Sequence, residues 1–452
     1  MKILIAGIGT VGVTLVRNLS AEGHDLTLID RRGDVLEAVA ERYDVMAVRG
    51  NCAAMDVLRQ AGVEEADLLI AATDADEVNL LCCTTAHGLN PRLHTIARIC
   101  TPDYTAQIYG MPEVFALSLA VNPEEDAAAE IERLLKYPGF LKRDTFADGR
   151  VEIVEIRVTA DSKLRNVSLS DMYGIVKCRV LVCTVLRGGR AFTPGGDFVL
   201  KEGDRVFVTA PTNNLTTLLK NVGLLSHKVR RVMLVGGGEV GFYLAKRLQK
   251  SGIEVRLIEK DRERCVELAA DLPEVCIIHG DASSQPLLES EGLSKCDALV
   301  SLTDTDELNM VLSLYANGCG VSQVITLLKQ TDNPHLLNAL PIGSVICPRE
   351  FCSNSILRYV RAMQHQNGAA LTVHTIADGQ AEAMEFAVDD TTLHCDEPLK
   401  TLKLKKGVLV VGISHGERTE IPGGDSLFRQ GDTVVVVSSD DTAIRQLNDI
   451  FE

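Results

Sequence analysis

Apolar residues near the start of the chain form short, nearly continuous runs that alternate with stretches of helical periodicity. The runs ILIA, LTLI and LLIAA are typical of strands that a parallel sheet buries on both faces. The pattern predicts strands at 2–6, 25–30, 45–48, 66–72 and 94–99 and helices at 11–22, 34–43, 53–61 and 75–87. This β-α alternation predicts a doubly wound, Rossmann-like parallel sheet with helices on both faces.

A second copy of this pattern runs from Val232 to about Leu328. The segment LLIAATDADEVNLL returns as ALVSLTDTDELNMV, and the glycines of GIGTVG return in GGGEVG. A shift of 229 positions carries Gly7, Gly9, Gly12 and Asp30 onto Gly236, Gly238, Gly241 and Glu259. The chain is therefore an internal duplicate, made of two halves of about equal length.

Each half also contains a second, smaller unit. The segments EEDAAAEIERLLKY and REFCSNSILRYVRAMQ have the amphipathic pattern of helices and look like connections between units. Short β-rich runs broken by Pro-Gly-Gly and Gly-Asp turns follow them, which predicts small α+β domains over 151–222 and 370–452. The predicted domains are 1–136 and 226–365 for the two Rossmann-like units and 137–225 and 366–452 for the two small ones.

Composition and charge narrow the class of protein. The 452 residues carry 46 Lys and Arg against 62 Asp and Glu, a formal net charge of −16 that disfavours nucleic acid or an anionic membrane surface as the partner. No apolar run reaches the roughly 18 residues needed to cross a bilayer, so we expect no direct membrane insertion. The first strand begins at Lys2 without a secretory leader, which favours a cytoplasmic location.

The cysteines and histidines do not form a recognisable metal or redox motif. The 13 cysteines are scattered and include no CxxC pair, and the 10 histidines are dispersed without an HExxH pattern. We therefore expect reduced thiols that act as small core residues, and we assign no metal.

The glycine pattern of each half indicates a nucleotide-binding turn. In G-x-G-x-x-G after a strand, the first glycine permits the tight turn, the second lets a phosphate approach the backbone, and the third lets the helix pack on the strand. The free N–H groups and the dipole at the helix start then attract the phosphate. A packing role for the glycines alone is the alternative interpretation.

Asp30, at the end of the second predicted strand, strengthens the nucleotide interpretation and bears on the ligand. A carboxylate at this position can accept both hydroxyls of an adenosine ribose and repels a 2′-phosphate, which disfavours NADP, although Arg31 and Arg32 follow it directly. NAD(H) and ATP or ADP fit equally well. The second half has Glu259 at this position, one methylene longer and followed by Lys260.

Further polar residues lie at the predicted carboxyl edge of the sheet. Thr73 and Asp74 either contact the ribose or phosphate or only cap the following helix, and their counterparts are Thr303 and Asp304. Arg98 could offer its guanidinium to a phosphate. We expect Lys329 at the position that matches Arg98, and we expect Asn51 and Asp281 either to reach the adenine edge or only to form turns.

Two other function classes compete with nucleotide sensing. A soluble NAD-dependent oxidoreductase needs an acid or base near the hydride donor, and the sequence contains no evident His/Asp, Tyr/Lys or Cys/His arrangement in the small domains. A scaffold with degenerate nucleotide folds would not require Asp30. We therefore expect a binding protein that is not an enzyme.

The order of these units, given twice, resembles the potassium-conductance-regulating (RCK) proteins, and within them the regulatory subunits of Trk potassium uptake systems. The segments that carry the resemblance span essentially the whole chain: GIGTVG with LTLID, RGNCAAMDVLRQAGVEEADLLIAATDADEVN, ARICTPDY, VMLVGGGEVG with VRLIEK, HGDASSQPLL and LTDTDELN. The paired TD(A/T)DE(V/L)N segments are more specific than the glycines.

The resemblance implies a cytoplasmic gating subunit at the inner face of the membrane. Such proteins form rings, expected here as a tetramer, beneath a membrane potassium-translocating subunit of the Trk type, and they bind NAD(H) or ATP/ADP. The resemblance and the glycine pattern place the first nucleotide on Gly7, Ile8, Gly9, Thr10, Val11, Gly12, Asp30, Asn51, Thr73, Asp74 and Arg98. They place the second on Gly236, Gly237, Gly238, Glu239, Val240, Gly241, Glu259, Asp281, Thr303, Asp304 and Lys329. The extra glycine, Gly237, is expected to add backbone freedom there.

Overall fold

The computed structural model describes residues 1–111, 114–137, 140–147, 149–210, 212–223, 229–329, 340–363, 370–416, 418–439, 444 and 446–452. Within them, the architecture predicted from the hydrophobic pattern is confirmed: two Rossmann-like parallel sheets, each followed by a smaller antiparallel sheet. The predicted domain boundaries at 225/226 and 365/366 lie outside the described residues, so the boundaries remain predictions.

The first parallel sheet has six strands in the order β3-β2-β1-β4-β5-β6. The strands are β1 (Lys2–Ala6), β2 (Asp25–Asp30), β3 (Met46–Arg49), β4 (Leu68–Ala71), β5 (His94–Arg98) and β6 (Leu119–Val121). The helices are α1 (Thr10–Ala21), α2 (Gly33–Ala40), α3 (Met55–Gln60), α4 (Asp76–Leu89) and α5 (Pro102–Gly110). The strand order reverses between β1 and β4, which opens a crevice at the carboxyl ends of the strands where such sheets bind ligands.

The first small domain follows helix α6 (Pro123–Lys136). Its antiparallel sheet has the order β10-β9-β11-β8-β7. The elements are β7 (Phe140–Phe146), β8 (Val151–Arg157), α7 (Leu169–Val176), β9 (Leu181–Arg187), β10 (Arg190–Phe192), β11 (Arg205–Ala210) and α8 (Thr212–Val222). The sheet thus begins at Phe140, earlier than the β-rich run predicted it.

The second parallel sheet repeats the first, in the order β14-β13-β12-β15-β16-β17. The strands are β12 (Arg231–Val235), β13 (Glu254–Glu259), β14 (Cys276–His279), β15 (Ala298–Ser301), β16 (Gln323–Leu327) and β17 (Ser344–Ile346). The helices are α9 (Glu239–Lys250), α10 (Arg262–Asp271), α11 (Gln285–Ser290) and α12 (Asp306–Gly318), and α13 (Pro348–Met363) leads to the second small domain.

The second small sheet has the order β18-β19-β22-β20-β21 and shares a core with the first. Its strands are β18 (Ala370–Ile376), β19 (Ala381–Ala387), β20 (Val408–His415), β21 (Arg418–Glu420) and β22 (Thr433–Ser438). Phe146 and Phe207 of the first small domain lie in one buried cluster with Ile376 and Val435 of the second. The two small domains are therefore packed against each other through apolar side chains.

The connecting helices α6 and α13 are exchanged between the halves. Ile131 of α6 is buried in a cluster with Leu244 of α9, the helix that begins at the second glycine turn. Ile356 of α13 is buried with Leu15 of α1, the helix that begins at the first glycine turn. Each glycine-turn helix is therefore covered by a helix from the other half of the chain.

No helix in the described part of the chain combines the length and the apolar character that crossing a bilayer requires.

Candidate nucleotide-binding sites

The first and third glycines of each turn are required by the fold itself. Gly7 has a φ of +93°, and a Cβ atom there would lie 2.7 Å from the backbone nitrogen of Thr73. A Cβ atom at Gly12 would lie 2.2 Å from the carbonyl oxygen of Gly7. Gly241 repeats the second geometry against Gly236, also at 2.2 Å. These glycines let β1 and β12 continue directly into closely packed helices.

The second glycine of each turn is different, because the protein around it does not require a glycine. A Cβ atom at Gly9 or Gly238 would meet no atom within 4 Å. Both residues have extended backbone and act as the N-caps of α1 and α9 without a side chain to bond the first N–H groups of the helix. An open space therefore lies in front of unsatisfied donors at a positive helix end, which suits a phosphate group.

Asp30 is clamped to the glycine turn by backbone hydrogen bonds. Its Oδ2 accepts from the N–H of Ile8 at 2.7 Å and its Oδ1 accepts from the N–H of Arg32 at 2.9 Å. Partial burial would raise the pKa of this carboxyl, but these N–H groups and the Arg32 guanidinium outweigh burial and lower the pKa. The expectation that a packing role would not require Asp30 is therefore wrong, because the carboxylate also holds the turn in place.

The clamped carboxylate can still bind a ribose. A carboxylate has about four acceptor positions, and the two N–H groups of the turn use two of them. The remaining neighbour of Asp30 is the Arg32 side chain, which is 56% exposed and lies 3.3 Å from Oδ1. The Asp30 side chain is only 10% exposed, but the Arg32 side chain extends into solvent and can move aside for ribose hydroxyls.

Glu259 makes the same clamp in the second half despite its longer side chain. Its Oε2 accepts from the N–H of Gly237 at 2.7 Å and its Oε1 accepts from the N–H of Asp261 at 2.8 Å. A Cβ atom at Gly237 would lie 3.3 Å from Cγ of Glu259 and 2.5 Å from Cδ1 of Leu268. Gly237 does not have a positive φ, so the expected gain in backbone freedom is wrong. The glycine instead makes room for two larger neighbours.

In the first half, the turn residue is larger and the carboxylate and helix residues are smaller than at the matching positions of the second half. Ile8, Asp30 and Val39 stand where the second half has Gly237, Glu259 and Leu268, each at a shift of 229. Ile8 and Val39 are buried in the same core cluster, so side-chain volume moves from the turn to the neighbouring helix between the halves. The second turn therefore keeps its carboxylate clamp, and its neighbouring side chains accommodate a carboxylate that is one methylene longer.

This compensation predicts a rescue. Gly237→Ile alone is expected to lose about 1–3 kcal/mol of unfolding free energy, because the new side chain overlaps Leu268 and Glu259. Gly237→Ile combined with Glu259→Asp and Leu268→Val recreates the set of the first half and is expected to recover most of that loss. Urea unfolding of the two variants measures the difference; a triple variant no more stable than the single one would contradict the compensation.

The TD segment is held by an asparagine that the sequence analysis did not assign. The side-chain oxygen of Asn79 accepts from the N–H of Thr73 at 2.9 Å and from its hydroxyl at 2.7 Å. The side-chain amide donates to the carbonyl of Arg98 at 2.9 Å. The N-cap of α4 is Ala75, which has no side-chain cap, and the hydroxyl of Thr73 accepts from its N–H at 3.4 Å, so of the capping role considered for Thr73 and Asp74 the structure shows this one bond of Thr73. The signal was the asparagine that ends both TD segments.

Asn309 makes the same hydrogen bonds in the second half. Its side-chain oxygen accepts from the N–H of Thr303 at 2.8 Å, and its side-chain amide donates to the carbonyl of Leu327 at 2.9 Å. The hydroxyl of Thr303 also donates to Asn309 at 2.7 Å. Because Asn79 bonds Arg98 and Asn309 bonds Leu327, the structural counterpart of Arg98 is Leu327. The expected match between Arg98 and Lys329 is therefore wrong, since Lys329 lies two residues further along the chain.

Each half nevertheless places a cation beside the exposed aspartate of its TD segment. The Arg98 guanidinium lies 3.9 Å from Asp74 and bonds Glu124 of α6 at 2.7 Å. Burial would lower the pKa of Arg98, but Glu124 outweighs burial and raises it, so the arginine stays charged. Lys329 lies 3.6 Å from Asp304. Arg98 is therefore tied to a connecting helix as well as to the site.

The remaining predicted residues lie at the rim. Asn51 accepts from the N–H of Ala53 at 3.3 Å and Asp281 accepts from the N–H of Ser283 at 2.9 Å, which is the turn-forming role considered for them. The first-turn positions of the glycine helices differ in exposure: Val11 is buried, Val240 is half-buried, and Thr10 and Glu239 are exposed. Contact between any of these residues and a nucleotide remains a prediction.

The described residues place no group of three or more His, Cys, Asp or Glu side chains where it could hold a metal ion. All 13 cysteines are free thiols, and eight of them are buried. What the two crevices offer chemically is an anion site at a helix start, a carboxylate beside it and a nearby cation. This combination suits recognition of an adenine nucleotide.

Comparison with known proteins agrees with the duplicated architecture. The chain matches the TrkA-N domain over residues 3–116 and 232–348 and the TrkA-C domain over residues 153–223 and 383–451. The Trk system potassium uptake protein TrkA of Vibrio alginolyticus is 30% identical over 458 residues, covering 100% of this chain and 99% of that protein. A TrkA homolog of Archaeoglobus fulgidus is 32% identical over 452 residues, covering 100% of both.

Among solved structures, the GsuK channel bound to NAD superposes with a TM-score of 0.61 at 17% identity, covering 97% of this chain and 76% of the channel chain. At this identity the likeness shows a shared fold.

Proposed function

The chain belongs to the TrkA family of Trk system potassium uptake proteins, and from this membership we propose that it is a cytoplasmic regulatory subunit. It controls a membrane potassium-translocating partner of the Trk type according to the nucleotide bound in its two crevices. It acts at the inner face of the membrane, through that partner, and assembles as a ring, with four copies as the expected number.

One observation carries the proposal: both glycine turns are open at the second glycine. The fold explains Gly7 and Gly12, but an alanine or serine would fit the protein equally well at Gly9. The same holds for Gly238. A ligand that approaches the backbone of each turn accounts for a glycine at both positions. The adjoining carboxylate, Asp30 or Glu259, offers acceptors for the ribose hydroxyls of that ligand.

The ligand is NAD(H), with ATP or ADP as the alternative or competing ligand. All of them present an adenosine ribose to Asp30 or Glu259 and a phosphate to the helix start. A 2′-phosphate would meet the negative charge of Asp30, which disfavours NADP. The role is regulatory rather than catalytic. Hydride transfer would need an acid or base beside the nicotinamide, and the sequence of the small domains contains no evident arrangement of that kind, whereas nucleotide binding needs none.

The exchanged helices provide a route from ligand to domain arrangement. A phosphate drawn to Gly9 acts on α1, which packs against α13 of the other half, and a phosphate at Gly238 acts on α9, which packs against α6. A ligand that favours one placement of the halves shifts the population towards it by no more than its differential affinity. The membrane partner responds to that placement.

Potassium uptake by membranes that contain a Trk-type translocating subunit tests the proposal. With the purified chain added, uptake is expected to change several-fold on addition of at least one of NADH, NAD, ADP and ATP, because occupancy shifts the domain arrangement. Membranes without the chain serve as the control and are expected not to respond.

Binding and NADH consumption are measured in the same preparation, so that the outcomes separate. Saturable binding with an unchanged uptake rate would refute the gating role and leave binding intact. Steady oxidation of NADH with a small substrate would instead support a soluble oxidoreductase.

A further inference from the structure

Tyr243 reaches from the second nucleotide domain into the first. It lies in the second turn of α9, and its residue is 7% exposed. Its hydroxyl donates to the carbonyl of Cys100 at 2.9 Å and accepts from the amide of Asn122 at 3.0 Å. Burial raises the pKa of this phenol despite its hydrogen bonds to Thr105 and Asn122, so the hydroxyl keeps the proton that it donates.

Cys100 and Asn122, two of the partners of Tyr243, lie close to the cation of the first site. Cys100 follows Arg98 by two residues, and its N–H donates to Asp76 of α4 at 3.0 Å. Asn122 is the N-cap of α6 and accepts from the N–H of Glu125 at 2.9 Å. The hydroxyl therefore ties the loop that follows Arg98 to the helix start that carries its ion-pair partner.

Among the described residues, α1 makes no reciprocal contact of this kind with the second half. The residue at the position of Tyr243 in α1 is Thr14, and its hydroxyl donates to the carbonyl of Thr10 in the same helix at 2.9 Å. The counterpart of Arg98 is Leu327, so the second site has no arginine at this place to hold. A side chain from the second half therefore contacts the segments around Arg98 and Glu124 in the first half.

We propose that Tyr243 is a positioning residue of the first nucleotide site, which holds Arg98 and Glu124 in register for the phosphate of the ligand. The inference rests on the proposed function, because it assumes that a nucleotide occupies the first crevice. Since Tyr243 belongs to the helix that starts at Gly238, affinity at the first site depends on where that helix lies, and the second crevice influences the first.

The test is Tyr243→Phe, titrated with ADP and, in a separate series, with NADH by calorimetry. The change keeps the buried ring and removes only the hydroxyl. In a Gly238→Asp background, where only the first site is open, Tyr243→Phe is expected to raise the dissociation constant about five- to tenfold. In a Gly9→Asp background, where only the second site is open, it is expected to leave the dissociation constant unchanged, although Tyr243 lies on the helix of that site.

Tyr359→Phe is the matched control. The hydroxyl of Tyr359 also joins the two halves, bonding His94 at 2.7 Å at the opposite, amino end of β5. It is expected to leave affinity at both sites unchanged. A second variant, Asn122→Ser, keeps an N-cap on α6 but removes the amide that donates to Tyr243, and it is expected to reproduce part of the first-site loss.

Equal weakening of both sites, or an unchanged first site, would overturn the positioning role. A native chain that binds neither ADP nor NADH would instead refute the proposed function, so the two failures are distinguishable. If Tyr243→Phe melts at a lower temperature than Tyr359→Phe, the Asn122→Ser titration decides between positioning and general loss of stability.

Discussion

Gly9→Asp is expected to abolish nucleotide binding at the first crevice and to leave the protein at least as stable as the native chain. Gly9 has φ −82° and ψ −160°, the extended conformation of an N-cap, and its missing side chain faces open space. An aspartate there bonds the first N–H groups of α1, which is worth a few tenths of a kcal/mol relative to glycine. The same carboxylate occupies the place of the phosphate.

The size of the effect follows from charge. Two like charges about 4 Å apart interact with roughly 4 kcal/mol at an effective dielectric constant near 20. That energy corresponds to about three orders of magnitude in the dissociation constant. Gly9→Ser, which caps the helix without adding charge, is expected to weaken binding less, so the pair separates steric from electrostatic exclusion.

Calorimetry with ADP and with NADH measures this prediction, and thermal unfolding measures the stability. The control is Gly88→Asp, which adds the same charge at another glycine of the same domain whose Cβ atom would meet nothing within 4 Å. It is expected to bind normally. A Gly9→Asp protein that binds with native affinity and stoichiometry would show that the phosphate does not lie on this turn.

Gly12→Ala is expected to destabilise the first nucleotide domain by about 3 kcal/mol or more. Alanine is favoured over glycine inside a helix by about 1 kcal/mol, so helix propensity alone predicts a gain. The new methyl group would lie 2.2 Å from the carbonyl oxygen of Gly7, and this atom belongs to the backbone of the turn. Steric overlap therefore outweighs helix propensity, since α1 and β1 cannot move apart from each other without losing buried contacts.

Urea unfolding of Gly12→Ala and Gly88→Ala measures the contrast. Gly88 lies in α4, where an added methyl meets nothing, so its substitution is expected to stabilise by about 0.5–1 kcal/mol. The two changes are chemically identical and are expected to have opposite signs. Native stability of Gly12→Ala would mean that α1 shifts away from the turn at little cost.

The sequence predicted the order of strands and helices well because buried parallel strands leave long apolar runs, and the structure confirms them within a few residues. It could also locate Gly9 and Asp30, since spacing after a strand defines both. It could not reveal that Asp30 bonds the N–H of Ile8, because a backbone partner leaves no trace in residue type. The repeated asparagine at the end of both TD segments marks Asn79 as a candidate, but its backbone partners, such as the carbonyl of Arg98, cannot be read from the sequence.

Two failures have a different physical origin. The expected match of Arg98 with Lys329 is wrong, because the hydrogen bonds of Asn79 and Asn309 define the register and pair Arg98 with the apolar Leu327. The exchange of α6 and α13 was not predicted either. Amphipathic periodicity shows that Ile131 and Ile356 belong to apolar faces, but it does not say which half of the chain covers them.

The exchange of connecting helices determines the order in which the chain can complete its cores during synthesis. Asn18 of α1 bonds Ser353 of α13, and these residues are 335 positions apart. At roughly 5–20 residues per second, the ribosome delivers α13 about 15–70 s after α1 has emerged. Throughout that interval Leu15 and its apolar neighbours lack the cover that α13 provides, so the nascent first half exposes apolar surface of the kind that chaperones bind.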